Sequence, residues 1–388
     1  MDNALSIWNH NGSYTGHALH WAVRLHMWLW GYSEPCNIHL RMRGLYVHVL
    51  FSTYWGNICT CTWTFYVGLI LAPWIVMEKY VTLEEFREVL SRRFSDEFPR
   101  VLSDYEGVPL FPEVDEVVKE LKTYDVREDD CWVVTYPKAG TTWVQEIVSC
   151  VMHDGNLEAV NGRHTIFRVP YIDQTIPARA RQWKSMPPIP KIVAEMPSPR
   201  VIKSHLPGQL LPPQLWQKHS KLVYVIRDPK DVIVSFFHFE KMFDPEKAEK
   251  SFADLYERAM TGKVMYGAWW DHYLYFWKRR HEPNVLLLRF EDLKKDLRGN
   301  IERVSLFLGK NLSAEILDAI TEHCTFSNMK KNPIINMDTL YPHSIKTGGT
   351  FMRKGNVGGW KDWFTVAQNE AMDALIKDKL HGTGLTFD

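Results

Sequence analysis

Through residues 77–388, short apolar runs alternate with longer stretches in which apolar positions recur every three to four residues. Four of the runs are compact: Cys131–Tyr136 (CWVVTY), Val201–Lys203, Leu222–Ile226 (LVYVI) and Val285–Phe290 (VLLLRF). Runs of this length and composition predict β-strands. The helical period predicts helices over Thr141–Met152, Ala268–Arg279, Leu297–Leu308 and Ser313–His323. Strand, crossover and strand in this order predict an α/β domain, with a central parallel sheet flanked by helices. No period of 20–50 residues repeats, which excludes a solenoid.

The first 76 residues have another texture. They hold seven of the sixteen tryptophans and three of the six cysteines (Cys36, Cys59, Cys61), and Gly44–Met77 contains no Asp, Glu, Lys or Arg. Eight charged residues then follow between Glu78 and Arg93. This change sets a boundary at 76/77, leaving a Trp/Cys-rich extension over 1–76 and one domain over 77–388. Ile58–Met77 is 20 uncharged residues, long enough to span a bilayer. Thr60, Thr62, Thr64 and Pro73 make it a poor span, and cations on both sides give no orientation. Three readings of 1–76 stay open: a disordered extension, a membrane-associated segment, or a stretch foreign to the protein, with Met77 as an ordinary start. The apolar run lies too far from Met1 for a cleaved signal peptide.

Lys+Arg and Asp+Glu are 46 each in 388 residues, so net charge is zero, which argues against a general nucleic-acid binder. Six cysteines are too few for a disulfide scaffold. No Cys/His spacing matches a zinc module, so no metal is expected.

The chemistry concentrates in four segments. Thr135–Trp143 (TYPKAGTTW) reads as strand, loop and helix start. Gly140 permits a close turn, Thr141 and Thr142 can cap the helix, and Lys138 adds a cation to the positive end of the helix dipole. This is an anion loop. It lacks the GxxxxGK[ST] spacing of a Walker A motif, because the lysine precedes the glycine. Arg200–Pro207 (RVIKSHLP) places Lys203 and His205 at a strand's carboxyl end, where open α/β sheets bind ligands. A histidine there suits a general base. In Tyr224–Ser235 (YVIRDPKDVIVS), Arg227 stands at a strand end, where it can grip a phosphate, and Ser235 two turns into the next helix. Phe351–Lys361 (FMRKGNVGGWK) is a second cationic, glycine-rich loop. Two separated cationic loops point to a ligand with two separated anionic groups.

These segments, in this order, resemble the cytosolic sulfotransferase family over roughly residues 95–388, a single P-loop-like α/β domain. Lys361–Glu370 also resembles that family's KxxxTVxxxE dimer segment, through Lys361, Thr365, Val366 and Glu370. The resemblance implies 3′-phosphoadenosine 5′-phosphosulfate (PAPS) as donor, without a metal. It implies sulfonyl transfer to a hydroxyl or amine of a small hydrophobic acceptor such as a phenol or steroid-like alcohol. By position, His205 would be the base, with Lys138 and Lys203 assisting. Lys138, Ala139, Gly140, Thr141 and Thr142 would hold the 5′ phosphosulfate. Trp143 and Phe326 would flank the adenine and Tyr266 would contact it. Arg227, Ser235, Arg353, Lys354 and Gly355 would hold the 3′-phosphate, and Tyr171 and Phe239 would gate the acceptor pocket. The resemblance further implies a cytoplasmic homodimer, with membrane association through 58–77 as the alternative. Ala139, Ser204, Cys324 and Gly359 depart from the commonest family pattern. A membrane-anchored glycan sulfotransferase and a non-catalytic nucleotide-binding protein remain as alternatives, and the acceptor itself is not legible.

Overall fold

The computed structural model describes residues 79–93, 102–174, 186–243, 251–340 and 349–387, together with four short strands nearer the N-terminus. Contacts divide the chain into two units, Met1–Ala72 and Pro73–Asp388. In the first, Trp21–Val23 pairs antiparallel with Phe65–Val67, and Ile38–Met42 with Leu45–Val49. The uncharged stretch 58–77 lies outside the described residues apart from the strand Phe65–Val67. Among the described residues, no helix is long and apolar enough to cross a membrane.

In the second unit, all four apolar runs are strands. They form one parallel sheet in the order Val285–Arg289, Lys221–Ile226, Cys131–Thr135, Val201–Ser204. Alternating side chains feed two separate cores. Trp132, Val134, Ile202, Leu222, Tyr224 and Ile226 face one side. They pack there on Ile192 of Ile189–Glu195, Val232 of Pro229–Phe243 and Phe276 of Trp269–Trp277. Cys131, Val133, Val201, Val223 and Val225 face the other. They meet Val144 and Ile147 of Thr141–Met152, Ile301 of Leu297–Phe307 and Ile320 of Ala314–His323. Each such fully buried side chain contributes about 1.5–3 kcal/mol. The strands are apolar on both faces because helices cover both.

A hairpin, Ser103–Tyr105 with Val108–Leu110, and the helices Leu83–Arg93 and Pro112–Leu121 precede the sheet; the apolar pattern did not reveal them. The strand order places the functional site. From Cys131–Thr135 the chain crosses to one side of that strand, then returns on its other side as Lys221–Ile226. The loops after Thr135 and Ile226 therefore diverge and open a crevice at the carboxyl ends of the strands.

Candidate active site

The loop after Cys131–Thr135 turns sharply. The Ala139 N–H donates to the Tyr136 carbonyl (3.2 Å), Lys138 has φ +69°, and Gly140 has φ +118°. A Cβ on Gly140 would sit 2.9 Å from the Phe290 ring, so only glycine fits this turn. Two expectations change here. Ala139 does not face the crevice: its side chain is fully buried in the core and its N–H is spent on the turn. Nor do the threonines cap the helix. The Thr141 hydroxyl pairs with that of Thr135 (2.6 Å), and the N-cap, Gly140, has no side chain to offer. The first-turn N–H groups are left for a ligand. Gly140, Thr141, Thr142 and Trp143 all line the crevice, a cavity of about 380 Å³.

Cations surround the crevice. Lys138 Nζ lies between two rings, 4.4 Å from the centre of Phe239 and 4.1 Å from that of Phe351. Burial pulls its pKa down to about 7, and the nearby Lys203 and Arg227 add to the shift. Burial also lowers Lys203, to about 8. Burial and then Arg227 lower Arg353 from its ordinary value. The Arg227 guanidinium stacks on Phe290 (4.2 Å) and donates to the Asn356 carbonyl (2.9 Å). Its Nε is buried with no hydrogen-bond partner among the described residues. Cations that depress one another, and a buried N–H without an acceptor, fit an anionic ligand.

The glycine-rich loop is fixed by a residue that sequence reasoning passed over. Asp231, buried on the helix Pro229–Phe243, accepts from the N–H groups of Gly358 (2.8 Å) and Trp360 (3.0 Å). Gly359 therefore needs no side chain to anchor the loop. Gly355 (φ +63°) lies against the Phe326 ring, leaving no space for a Cβ. Arg353, Lys354, Gly355, Phe326 and Ser235 all line the crevice. The exposed Lys354 pairs with Asp362 (3.2 Å). Trp143 meets Phe290 edge-on at 5.3 Å, and its indole N–H donates to the Cys324 carbonyl (2.8 Å). Cys324 is buried, and its side chain does not line the crevice.

His205 is nine-tenths buried and lines the same cavity. Its Nδ1 lies 2.8 Å from the Thr135 carbonyl. A carbonyl only accepts, so Nδ1 carries the proton and Nε2 keeps a free lone pair. Burial, then the Lys203 charge, push its pKa well below the ordinary imidazole value. The ring is neutral at pH 7 and ready to accept a proton. The His205 N–H donates to Asp173 (3.2 Å), and its carbonyl is held by His272 Nε2 (3.1 Å).

The expected place of Tyr266 changes as well. Its hydroxyl bonds Tyr171 and donates to Asp173 (3.0 Å), and its ring lies 5.8 Å from His205. The ring is held there because the Tyr266 N–H is tied to Pro109 of the hairpin. Tyr266 thus belongs with Tyr171, whose ring is 5.1 Å from His205, and Phe290 takes the place beside Trp143. Phe236 is buried in the core and also borders the crevice next to Phe239. Asp173, Asp231, Phe290 and Phe351 carried no readable signal, since nothing in the local pattern separates them from core or surface residues.

A sulfotransferase domain model matches residues 128–384. The chain belongs to the sulfotransferase family. It is 38% identical to sulfotransferase 1B1 of Canis lupus familiaris over 273 residues, covering 69% of this chain and 89% of that protein. It is likewise 38% identical to sulfotransferase 1C2 of Rattus norvegicus over 291 residues, 74% of this chain and 95% of that protein. Among solved structures it is similar to retinol dehydratase in complex with androsterone and inactive cofactor PAP. There the TM-score is 0.67 and the identity 29%, covering 73% of this chain and 90% of that one. A mouse sulfotransferase complexed with PAP gives a TM-score of 0.58 at 27% identity, covering 73% of this chain and 95% of that one. The sequence resemblance and the parallel-sheet architecture are both borne out.

Proposed function

We propose that this sulfotransferase moves the sulfonyl group of PAPS to a hydroxyl of a small hydrophobic acceptor, with His205 as general base. One observation carries this reading. A neutral imidazole with its Nδ1–H fixed on Thr135 lines a cleft shared with Lys138 and Lys203, whose pKa values burial lowers.

The roles follow from position. Trp143 and Phe326 flank the purine, Arg227, Ser235, Arg353, Lys354 and Gly355 hold the 3′-phosphate, and Lys138, Gly140, Thr141 and Thr142 hold the 5′ phosphosulfate. His205 takes the acceptor's hydroxyl proton as the acceptor oxygen bonds to sulfur. Lys138 and the first-turn N–H groups stabilise the negative charge that gathers on the leaving phosphate oxygen as its bond to sulfur breaks. Lys203 neutralises charge on the transferring oxygens. The work is positioning and electrostatics, as in phosphoryl transfer.

The acceptor class follows from Tyr171 and Tyr266 beside His205, with Phe236 and Phe239 on the wall of the same cavity. It favours phenols and steroid-like alcohols. Two retinol dehydratase structures, one in complex with androsterone and one with retinol, hold ligands of that kind. A homodimer through Lys361, Thr365, Val366 and Glu370 is part of the proposal; all four are exposed, Val366 at 75%.

The deciding test is transfer from labelled PAPS to a panel of phenols, sterols and amines, with His205→Ala alongside. Turnover by the parent chain, lost in the variant while PAP binding persists, supports the reading. Equal turnover by both removes His205 as base.

A further inference from the structure

Behind the donor crevice lies a buried cluster that the transfer reaction does not use. Glu146 and Cys150 stand one turn apart on Thr141–Met152, and His323 and Cys324 close the helix Ala314–His323. Glu146, Cys150 and Cys324 are fully buried. Each of Glu146, Cys150 and His323 points one ligand atom inward, and the three atoms lie within 4.8 Å of one another. His323 Nε2 is 2.9 Å from Glu146 Oε1, and Cys150 Sγ is 3.9 Å from the same oxygen. The sulfur of Cys324, buried as well, is not one of the three converging atoms. Arg168, also buried, donates to Glu146 Oε2 (2.7 Å). That bond fixes the carboxylate and leaves Oε1 turned toward the thiol and the imidazole.

We propose that Glu146, Cys150 and His323 form a binding site for a divalent cation of the zinc class, set against the donor crevice. The ligand chemistry is that of zinc: one sulfur, one imidazole nitrogen and one carboxylate oxygen, with the fourth position left to a small ligand. Bonds of about 2.0–2.3 Å in a tetrahedron place ligand atoms roughly 3.3–3.8 Å apart. The Glu146 contacts to His323 and Cys150 already straddle that spacing. Arg168 acts as the outer partner that orients the carboxylate. Binding would displace the Cys150 thiol proton. The site has a mechanical link to the donor crevice. Cys150 shares a helix with Trp143, whose indole N–H is held by the Cys324 carbonyl, and Phe326 follows two residues on. An ion joining Cys150 to His323 would clamp the two segments that present Trp143 and Phe326. This is a structural role, independent of how the sulfonyl group moves.

The test uses the reduced, full-length chain without an affinity tag and titrates it with Co²⁺. One equivalent should produce a thiolate-to-cobalt charge-transfer band and tetrahedral d–d absorption, both displaced by Zn²⁺. Cys150→Ser and His323→Gln should each abolish the band while still binding PAP, which reports an intact fold. Zn²⁺ should raise the unfolding temperature of the parent and of neither variant. If Cys150→Ser fails to fold, His323→Gln decides, since its side chain reaches the protein's surface. Absence of the band in the parent overturns the site, as does a band that survives both substitutions. A metal-free protein whose Cys150 and Cys324 are recovered as one disulfide-linked peptide from reduced cells overturns it too.

Discussion

His205 acts from a buried position, so its protonation state is set by its neighbours rather than by solvent. Its pKa is pushed far below the usual imidazole range, so protonation of this ring does not limit turnover between pH 6.5 and 8. His205→Ala should lower kcat by about 10²–10⁴, the usual worth of one general base, with donor affinity nearly unchanged. Lys138 behaves oppositely. In the free protein its pKa is about 7, so its charge is lost as pH rises through that value. Bound anion favours the charged form, so donor affinity should be level below pH 7. Above it, affinity should weaken by up to about tenfold per pH unit, until the raised pKa of the bound state is reached. Isothermal titration with PAP from pH 6 to 9 measures this. Lys138→Arg, charged throughout, should flatten the curve, and a parent curve that is already flat would refute the argument.

At the level of elements, the donor site is a joint between loops, and Asp231 makes two of the bonds across it. It spans from the helix Pro229–Phe243 to two N–H groups of the glycine-rich loop. Hydrogen bonds to a charged group are worth about 1.5–3 kcal/mol each. Asp231→Ala should therefore weaken donor binding at least tenfold, through loss of Arg353 placement, and Asp231→Asn should recover part of it. Equal Kd values for PAP in parent and variant would show that the loop is held by other means. Gly355→Ala tests the same joint from its far side. The new methyl enters the Phe326 ring and the backbone is at φ +63°, so donor KM should rise while kcat for bound substrate changes little.

For the whole molecule, the exposed Lys361, Thr365, Val366 and Glu370 are the proposed self-association surface. Thr365 both caps the helix Val366–Leu380 and belongs to that surface, so the segment is rigid before any partner arrives. Glu370→Lys should shift sedimentation from dimer toward monomer without altering the circular dichroism spectrum, and an unchanged profile would remove the surface from consideration. The sheet and all four site segments fall within 77–388, so residues 77–388 alone should match the full chain in sulfonyl transfer.

The sequence by itself determined the four parallel strands, the helices that cover them, the sharp loop at Gly140 and the strand-end position of His205, the proposed base. Each is written in local order: apolar runs apolar on both faces, glycine where φ must be positive, a histidine at a strand's end. It could not reveal that Ala139 faces the core, that Tyr266 lies beside His205 and Tyr171, or that Phe290 packs against Trp143. Nor could it reveal that Asp231 ties down a loop more than 120 residues away. Those placements depend on which turn consumes which N–H and on which segments the sheet order brings together. The grouping of Glu146 and Cys150 with His323 has the same origin. Nothing local distinguishes these residues from ordinary helical ones, and only the packing of two helices on one face of the sheet makes them neighbours.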